Sequence, residues 1–147
     1  MEIKVLSPEL ITDSLLEKIN NLRCQLDPDL TPINKEELKK LSEQPHVRLF
    51  LAFRDKALVG MLTSGFFHFP SRKKMFIEDV VVDEPFRRQG IGRELSKVAI
   101  ALVEELAVET IDLTSTPDRL AAHSLYESLG FEKRDTHVYR LKAGRKK

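Results

Sequence analysis

An apolar run, a basic turn with two glycines and a long helical pattern follow one another in the middle of the chain. The apolar run covers residues 75–82, the turn covers residues 87–92 with the sequence RRQGIG, and the helical pattern covers Ile91–Leu106. The apolar side chains on one face of that helix would be Ile91, Leu95, Val98, Leu102 and Leu106. A strand, a turn and a helix in this order predict an α/β fold with the turn at the end of a strand.

The turn has the composition of an anion-binding site. The first N–H groups of a helix lack intrahelical partners, and the helix dipole adds about half a positive charge there. Gly90 and Gly92 let the backbone approach a ligand, while Arg87 and Arg88 can add charge-assisted hydrogen bonds. Two glycines at a helix start also serve a simple tight turn, and that alternative stays open at this point. The Rossmann fingerprint is excluded, because its third glycine would stand where this chain has Leu95.

Two motifs together resemble the GNAT N-acetyltransferase superfamily. The spacing Arg-x-x-Gly-x-Gly after a strand resembles the loop that holds the acyl-CoA pyrophosphate in that family. Residues 119–131, with the sequence RLAAHSLYESLGF, resemble the family's second signature and follow in the family's order and separation. The resemblance extends from about residue 48 to residue 141 and is weaker before that.

The resemblance implies a single domain over residues 1–147 with a mixed α/β (α+β) fold. The family has a central sheet of six to seven strands, a V-shaped splay between its two central parallel strands, and four helices on both faces. We expect strands at residues 3–6, 48–53, 58–67, 75–82, 110–114, 131–133 and 137–141. We expect helices at residues 8–26, 34–41 and 91–106, and a fourth that ends at Gly130.

Three polar residues are expected to begin two of these helices. Asn34 can cap the second helix, and Glu37 would complete a capping box. Asp118 can cap the fourth helix. Cys24 falls within the first helical pattern and is expected to pack rather than to react.

The resemblance also implies acetyl-CoA as co-substrate and a primary amine as acceptor. In the family, the end of the strand before the phosphate loop bonds the pantetheine arm and the thioester carbonyl. The expected acetyl-CoA contacts are therefore Val80, Val81, Val82, Arg87, Arg88, Gln89, Gly90, Ile91, Gly92, Arg93, Arg119 and Tyr126. Of these, Arg119 departs from the commoner asparagine, so it either contacts a CoA phosphate or stays solvated.

Tyr126 occupies the family position where a tyrosine hydroxyl protonates the departing CoA thiolate. Its alternative role is that of a core aromatic, because its helical neighbours are apolar. Glu78 matches a position where several members carry a water-linked base, and Asp79 follows it. In a regular strand these two carboxylates would point to opposite faces, and either could instead cap a loop or bind an arginine.

The acceptor amine is expected to be that of a small molecule, with direct transfer in a ternary complex. The expected substrate contacts are Asp79, His68 and Thr114. Two alternatives remain: an acetyltransferase acting on a protein N-terminus or lysine, and a non-catalytic acyl-CoA-binding regulatory module. The latter would dispense with Tyr126 and Glu78, and both are present.

Composition narrows the classes of partner and compartment. The 24 basic and 23 acidic side chains give a net charge of +1, so no overall attraction to nucleic acid is expected. No apolar run is long enough to span a membrane, no signal-peptide pattern is recognised, and one cysteine suits a reducing compartment, so we expect a cytoplasmic protein. The histidines lack metal-ligand spacing, so no metal is expected. A homodimer is compatible with the resemblance.

Overall fold

The computed structural model describes residues 1–144, in two compact units. The first unit, Met1–Thr114, contains a five-stranded mixed sheet in the order β1-β2-β3-β4-β5. Pairing is antiparallel from β1 to β4, and β4 and β5 are parallel. The strands are β1 (Glu2–Val5), β2 (Val47–Arg54), β3 (Ala57–His68), β4 (Lys73–Val82) and β5 (Thr110–Asp112).

Four α-helices lie in the described residues: α1 (Asp13–Leu26), α2 (Lys35–Ser42) and α3 (Ile91–Leu106) in the first unit, and α4 (Leu120–Ser128) in the second. The expected helix start at residue 8 is wrong, because Pro8–Leu10 forms a separate 3₁₀ turn and Thr12 caps α1 instead. Thr12 Oγ1 accepts the Leu15 N–H at 3.1 Å. None of the described helices is long and apolar enough to cross a membrane.

Two sequence signals gave correct helix boundaries. The capping box at α2 is confirmed: Asn34 Oδ1 accepts the Glu37 N–H, and Glu37 Oε2 accepts the Asn34 N–H, both at 2.8 Å. The bounds of α3 are also those that the apolar repeat predicts. In contrast, Cys24 is exposed on α1, so the expectation that it packs is wrong. A helical pattern locates a residue on a helix without saying which face it occupies.

Helices cover both faces of the sheet in the first unit. On one face, α1 and α2 bury Ile19 and Leu38 in a cluster that includes Leu51, Met61 and Val81 of the strands. On the other face, α3 lies against β2, β3 and β4. The packing of helices on each face therefore removes apolar surface from water, and this burial is the main favourable contribution to folding.

A glycine allows α3 to approach the sheet closely. A Cβ atom on Gly60 of β3 would stand 3.2 Å from Ile91 Cγ2, 3.3 Å from Leu95 Cδ1 and 3.1 Å from the Val81 carbonyl oxygen. These distances leave almost no room for a side chain. The first turn of α3 consequently lies directly on the sheet near the end of β4.

The expected strands at residues 131–133 and 137–141 are wrong, so the described sheet has five strands rather than six to seven. These residues form no described strand, and Val138, Tyr139 and Leu141 are 74%, 89% and 96% exposed. Their composition favours a strand, but β-propensity expresses fit to a paired, half-buried surface. An isolated hairpin is marginal in water, so residues without a pairing partner do not form one.

The beginning of α4 also differs from expectation. Its N-cap position is occupied by Arg119, without a side-chain cap, and Asp118 stands one residue earlier. A hydrogen bond with the Thr116 side chain is the main cause that lowers the pKa of the Asp118 carboxyl. The end of α4 is confirmed, because Gly130 follows the C-cap residue with φ of 92°.

Candidate active site at the end of β4

Within residues 1–144, the second half of β4 has a neighbouring strand on one side only. Parallel pairing with β5 covers three residue pairs and ends at Phe76 and Asp112, whereas pairing with β3 continues to Val82. Along residues 77–82, the edge that faces away from β3 therefore has no strand beside it among the described residues. An open strand edge can bind an extended ligand through backbone hydrogen bonds.

A β-bulge lies within this open half. Thr63 pairs with Glu78 and Met61 pairs with Val81, so three steps on β4 oppose two on β3. Asp79 has φ of 51°, in the left-handed region that aspartate tolerates better than most residues. The bulge is therefore a built-in feature of β4 and places an extra residue at Asp79 or next to it.

The bulge reverses the alternation of side chains along β4. Ile77 pairs with Ser64 and Val81 pairs with Met61, and partners across a sheet share a face. Ser64 and Met61 are three residues apart, so Ile77 and Val81 lie on opposite faces although they are four apart. The regular alternation therefore does not hold across residues 78–81, which include Glu78 and Asp79. Both side chains are exposed.

The loop after β4 leads directly into the N-terminus of α3. It contains a 3₁₀ turn, Glu84–Phe86, and two residues with positive φ, Arg88 at 60° and Gly90 at 82°. Gly90 is the N-cap residue, and no atom lies within 4 Å of a Cβ placed on it. Its conformation rather than crowding therefore favours glycine there. The first N–H groups of α3, that of Gly92 among them, have no acceptor within the helix.

The basic side chains of the loop have different surroundings. Arg87 Nε donates to the Val82 carbonyl at 3.0 Å, and its Nη2 donates to Gln25 Oε1 at 3.3 Å. Gln89 accepts from Arg54 and donates to the Pro85 carbonyl at 3.3 Å. Arg88 is exposed and forms no described hydrogen bond or ion pair. Arg87 and Gln89 thus hold the loop together, whereas the exposed side chain of Arg88 has no partner among the described residues.

Sequence reasoning missed Gln25 and Arg54. Gln25 lies 58 positions before Asp83, to which its Nε2 donates at 2.7 Å, and Arg54 lies 35 positions before Gln89. No local pattern predicts a contact over such a separation. These contacts form because the fold brings α1 and the β2–β3 turn next to the loop.

Tyr126 and Arg119 belong to the second unit. Tyr126 lies on α4, with its ring 5.7 Å from the Phe131 ring in an edge-on arrangement, and its carbonyl accepts the Phe131 N–H at 3.0 Å. Burial raises the pKa of the Tyr126 hydroxyl, and the charge of Arg119 acts in the opposite direction. Tyr126 therefore keeps its proton at neutral pH, as a general acid must.

The expected substrate contacts are scattered over the first unit. His68 ends β3 at the far end of the β3–β4 pairing from Val82, because it pairs with Lys73. Thr114 follows β5, which ends at Asp112 rather than at the expected residue 114. Only Asp79, in the bulge, lies in the open half of β4. Among the described residues, no group of three or more His, Cys, Asp or Glu side chains could hold a metal ion.

The open half of β4 and the start of α3 together suit one type of ligand. Backbone groups along an open strand edge bind an extended chain that contains amides. A helix N-terminus beside an available arginine binds phosphate. The first unit therefore offers a site for a molecule with an extended amide arm and an anionic end.

Comparison with known proteins identifies relatives that are acetyltransferases. The chain is 35% identical over 92 residues to N-alpha-acetyltransferase 30 of Dictyostelium discoideum, covering 63% of this chain and 48% of that protein. It is 25% identical over 135 residues to aminoglycoside N(6')-acetyltransferase type 1 of Acinetobacter baumannii, covering 88% and 92%. The chain thus spans about half the length of the first relative and most of the second.

Solved structures show the same fold. AAC(6')-Iy, solved with the bisubstrate analogue CoA-S-monomethyl-acetylneamine, superposes with a TM-score of 0.79 at 19% identity, covering 97% of this chain and 98% of that one. The family model for the GNAT acetyltransferases matches residues 16–131, which include β4, the loop after it, α3 and α4. By this match over most of its length, the chain belongs to the GNAT acetyltransferase family.

Proposed function

We propose that this protein is an acetyl-CoA-dependent N-acetyltransferase that acts on a primary amine of a small molecule. The observation that carries the proposal is the open half of β4, which ends beside the N-terminus of α3. Membership of the family supports acetyl-CoA as the ligand with an amide arm and an anionic end. The proposal treats residues 1–147 as one functional domain.

In the proposed site, Val80, Val81 and Val82 supply backbone groups to the pantetheine arm and the thioester carbonyl. The pyrophosphate takes the N–H groups of the loop and of the first turn of α3, with Arg88 as an added charge. Arg87 and Gln89 act by holding this loop, since their side chains bond within the protein. The family resemblance is the support for the role of the valines.

The proposed reaction is a direct transfer. The neutral amine nitrogen attacks the thioester carbonyl carbon, a C–N bond forms, and the C–S bond breaks. The departing thiolate takes the proton of Tyr126, and the proton of the amine passes through water to Glu78. A raised pKa keeps Tyr126 protonated at neutral pH, which supports its role as the acid. The exposure of Glu78 on β4 supports a base that is linked to the amine by water.

A small-molecule acceptor is favoured by the relative that matches over nearly its whole length, an aminoglycoside acetyltransferase. The second candidate acceptor is a protein N-terminus, because the relative of higher identity is an N-alpha-acetyltransferase. That match covers 48% of the relative's length, so it constrains the acceptor less.

The test combines binding and turnover on one sample. Titration calorimetry with acetyl-CoA should show binding, and CoA release should appear with one member of a panel of aminoglycosides, amino acids and short peptides. Release with peptides alone would favour the second candidate. Binding without release from any amine would support a non-catalytic module, and no binding would contradict the proposal.

The role of Tyr126 needs a separate variant. Tyr126→Phe should reduce kcat about 100-fold or more, because a general acid contributes about that much, while acetyl-CoA affinity stays nearly unchanged. Because the pKa of Tyr126 is raised, any loss of rate from its ionisation should occur only above about pH 10. Unchanged turnover in Tyr126→Phe would remove it from the acid role.

A further inference from the structure

Gln25 on α1 joins that helix to the loop between β4 and α3. Its Nε2 donates to Asp83 Oδ1 at 2.7 Å. Its Oε1 accepts the Glu84 N–H at 3.0 Å and Arg87 Nη2 at 3.3 Å. One side chain thus bonds three residues of the loop, and it does so as donor and acceptor together. A carboxylate could not donate, and an ammonium could not accept.

Two of the three partners of Gln25 are themselves bonded to the sheet. The Asp83 N–H donates to the Val59 carbonyl at 2.9 Å, and Arg87 Nε donates to the Val82 carbonyl at 3.0 Å. Gln25 therefore acts on the segment that connects the last residue of β4 to the start of α3. These are the two elements whose backbone groups form the proposed acetyl-CoA site.

We propose that Gln25 is a positioning residue for the acetyl donor. It fixes the loop so that the end of β4 and the first turn of α3 present their free backbone groups together. The inference rests on the proposed function. Gln25 has an exposed side chain, so its removal leaves no cavity in the core and should not unfold the protein.

The first test is truncation of the side chain. Gln25→Ala should raise the Kd for acetyl-CoA about tenfold, because it releases hydrogen bonds to a charged carboxylate, a charged guanidinium and a backbone N–H. Asn21→Ala is the matched control, since Asn21 is also exposed on α1 and forms no described side-chain hydrogen bond. The control should bind acetyl-CoA as the unchanged protein does, and both variants should keep its thermal midpoint.

The second test exchanges the donor and the acceptor. Gln25→Glu places a carboxylate against Asp83 and should weaken binding more than Gln25→Ala does. In the double variant Q25E/D83N, the introduced amide can donate to the introduced carboxylate, and the net charge equals that of the unchanged protein. The acetyl-CoA affinity of the double variant should therefore be higher than the sum of the two single-variant effects predicts, because the two side chains contact each other.

Two results would overturn the inference: equal acetyl-CoA affinity in Gln25→Ala and the unchanged protein, or strict additivity of Q25E and D83N. If the unchanged protein itself does not bind acetyl-CoA, the proposed function fails and the inference fails with it. That pattern differs from equal binding in every variant, which would contradict the role of Gln25 alone.

Discussion

The two halves of β4 differ in the number of strands beside them. Residues 74–76 pair with β3 on one side and with β5 on the other, whereas residues 77–82 pair only with β3 within the described part of the chain. The first half is regular, with Met75 fully buried, and the second half contains the bulge and two exposed carboxylates. In the first half the backbone groups are used for pairing, and in the second half one edge remains available to a ligand.

Because of this difference, one half of β4 belongs to the buried core and the other half forms part of the candidate site. Pairing on both sides fixes the strand in the sheet, so its continuation keeps a defined direction after one neighbour ends. The bulge then turns Val81 toward the cluster under α1 and α2, which anchors the open half from below. The open half is therefore held by β3 and by two buried side chains, Ile77 and Val81, without losing its free edge.

The largest expected effect is on the free energy of unfolding, and it follows from the difference in burial between the two halves of β4. Met75→Ala should lower the free energy of unfolding by about 2–5 kcal/mol, because Met75 is completely buried. Val82→Ala, at a half-buried position of the open half, should lower it by less than about 1 kcal/mol. Denaturant unfolding of each variant measures both values.

Side-chain size is controlled by Val59→Ala in β3, where the valine is fully buried. That variant should lose about 2 kcal/mol, since it removes two buried methyl groups and leaves a cavity. Equal losses for the valines at positions 59 and 82 would show that the open half is as tightly packed as the core. That result would contradict the proposed difference between the two halves of β4.

An intermediate effect is expected at the bulge. Asp79→Val should lower the free energy of unfolding by about 1–2 kcal/mol, because a β-branched residue is strained at φ of 51°. Asp79→Gly should stay within about 0.5 kcal/mol of the unchanged protein, since glycine adopts positive φ without steric cost. Both are measured by denaturant unfolding.

Glu78→Val is the control for the bulge, because it makes a similar change one residue earlier, where φ is not positive. It should cost clearly less than Asp79→Val. Equal costs for the two valine variants would mean that the backbone at Asp79 is not strained, and that the bulge does not separate the halves of β4.

The smallest expected effect is a local change in amide hydrogen exchange on binding. Saturating acetyl-CoA should slow exchange about tenfold or more at residues 80–82 and in the first turn of α3. Residues 74–76 should change little, because both edges there are already paired. Uniform slowing along β4 would indicate global stabilisation instead of binding at the open half.

Local sequence signals predicted much of this molecule, and non-local contacts account for the rest. The Asn34 and Glu37 capping box and the full extent of α3 could be predicted because each depends on residues within a few positions. The bulge could not, because it is defined by the register between β3 and β4. The strands expected at residues 131–133 and 137–141 failed for the same reason, since composition does not supply a pairing partner.

The candidate site shows the same division. The turn at Gly90 and the start of α3 lie where the motif predicts them. The motif did not predict that the guanidinium of Arg87 bonds Val82 and Gln25 within the protein. A motif identifies which residues surround a ligand, and only the packed structure shows which of them have a free side chain.

Gly60 determines how closely the first turn of α3 approaches the sheet beside the candidate site. A methyl group there would press on Ile91 and Leu95, and the neighbours would have to yield by a few tenths of an ångström. Such a group would act as a spacer under α3, moving the N-terminus of the helix away from the end of β4. The N–H groups at the start of α3 and the backbone groups at the end of β4 would be unchanged, but the distance between the two sets would increase. The distance between the two parts of the candidate site thus depends on Gly60, a residue that has no side chain.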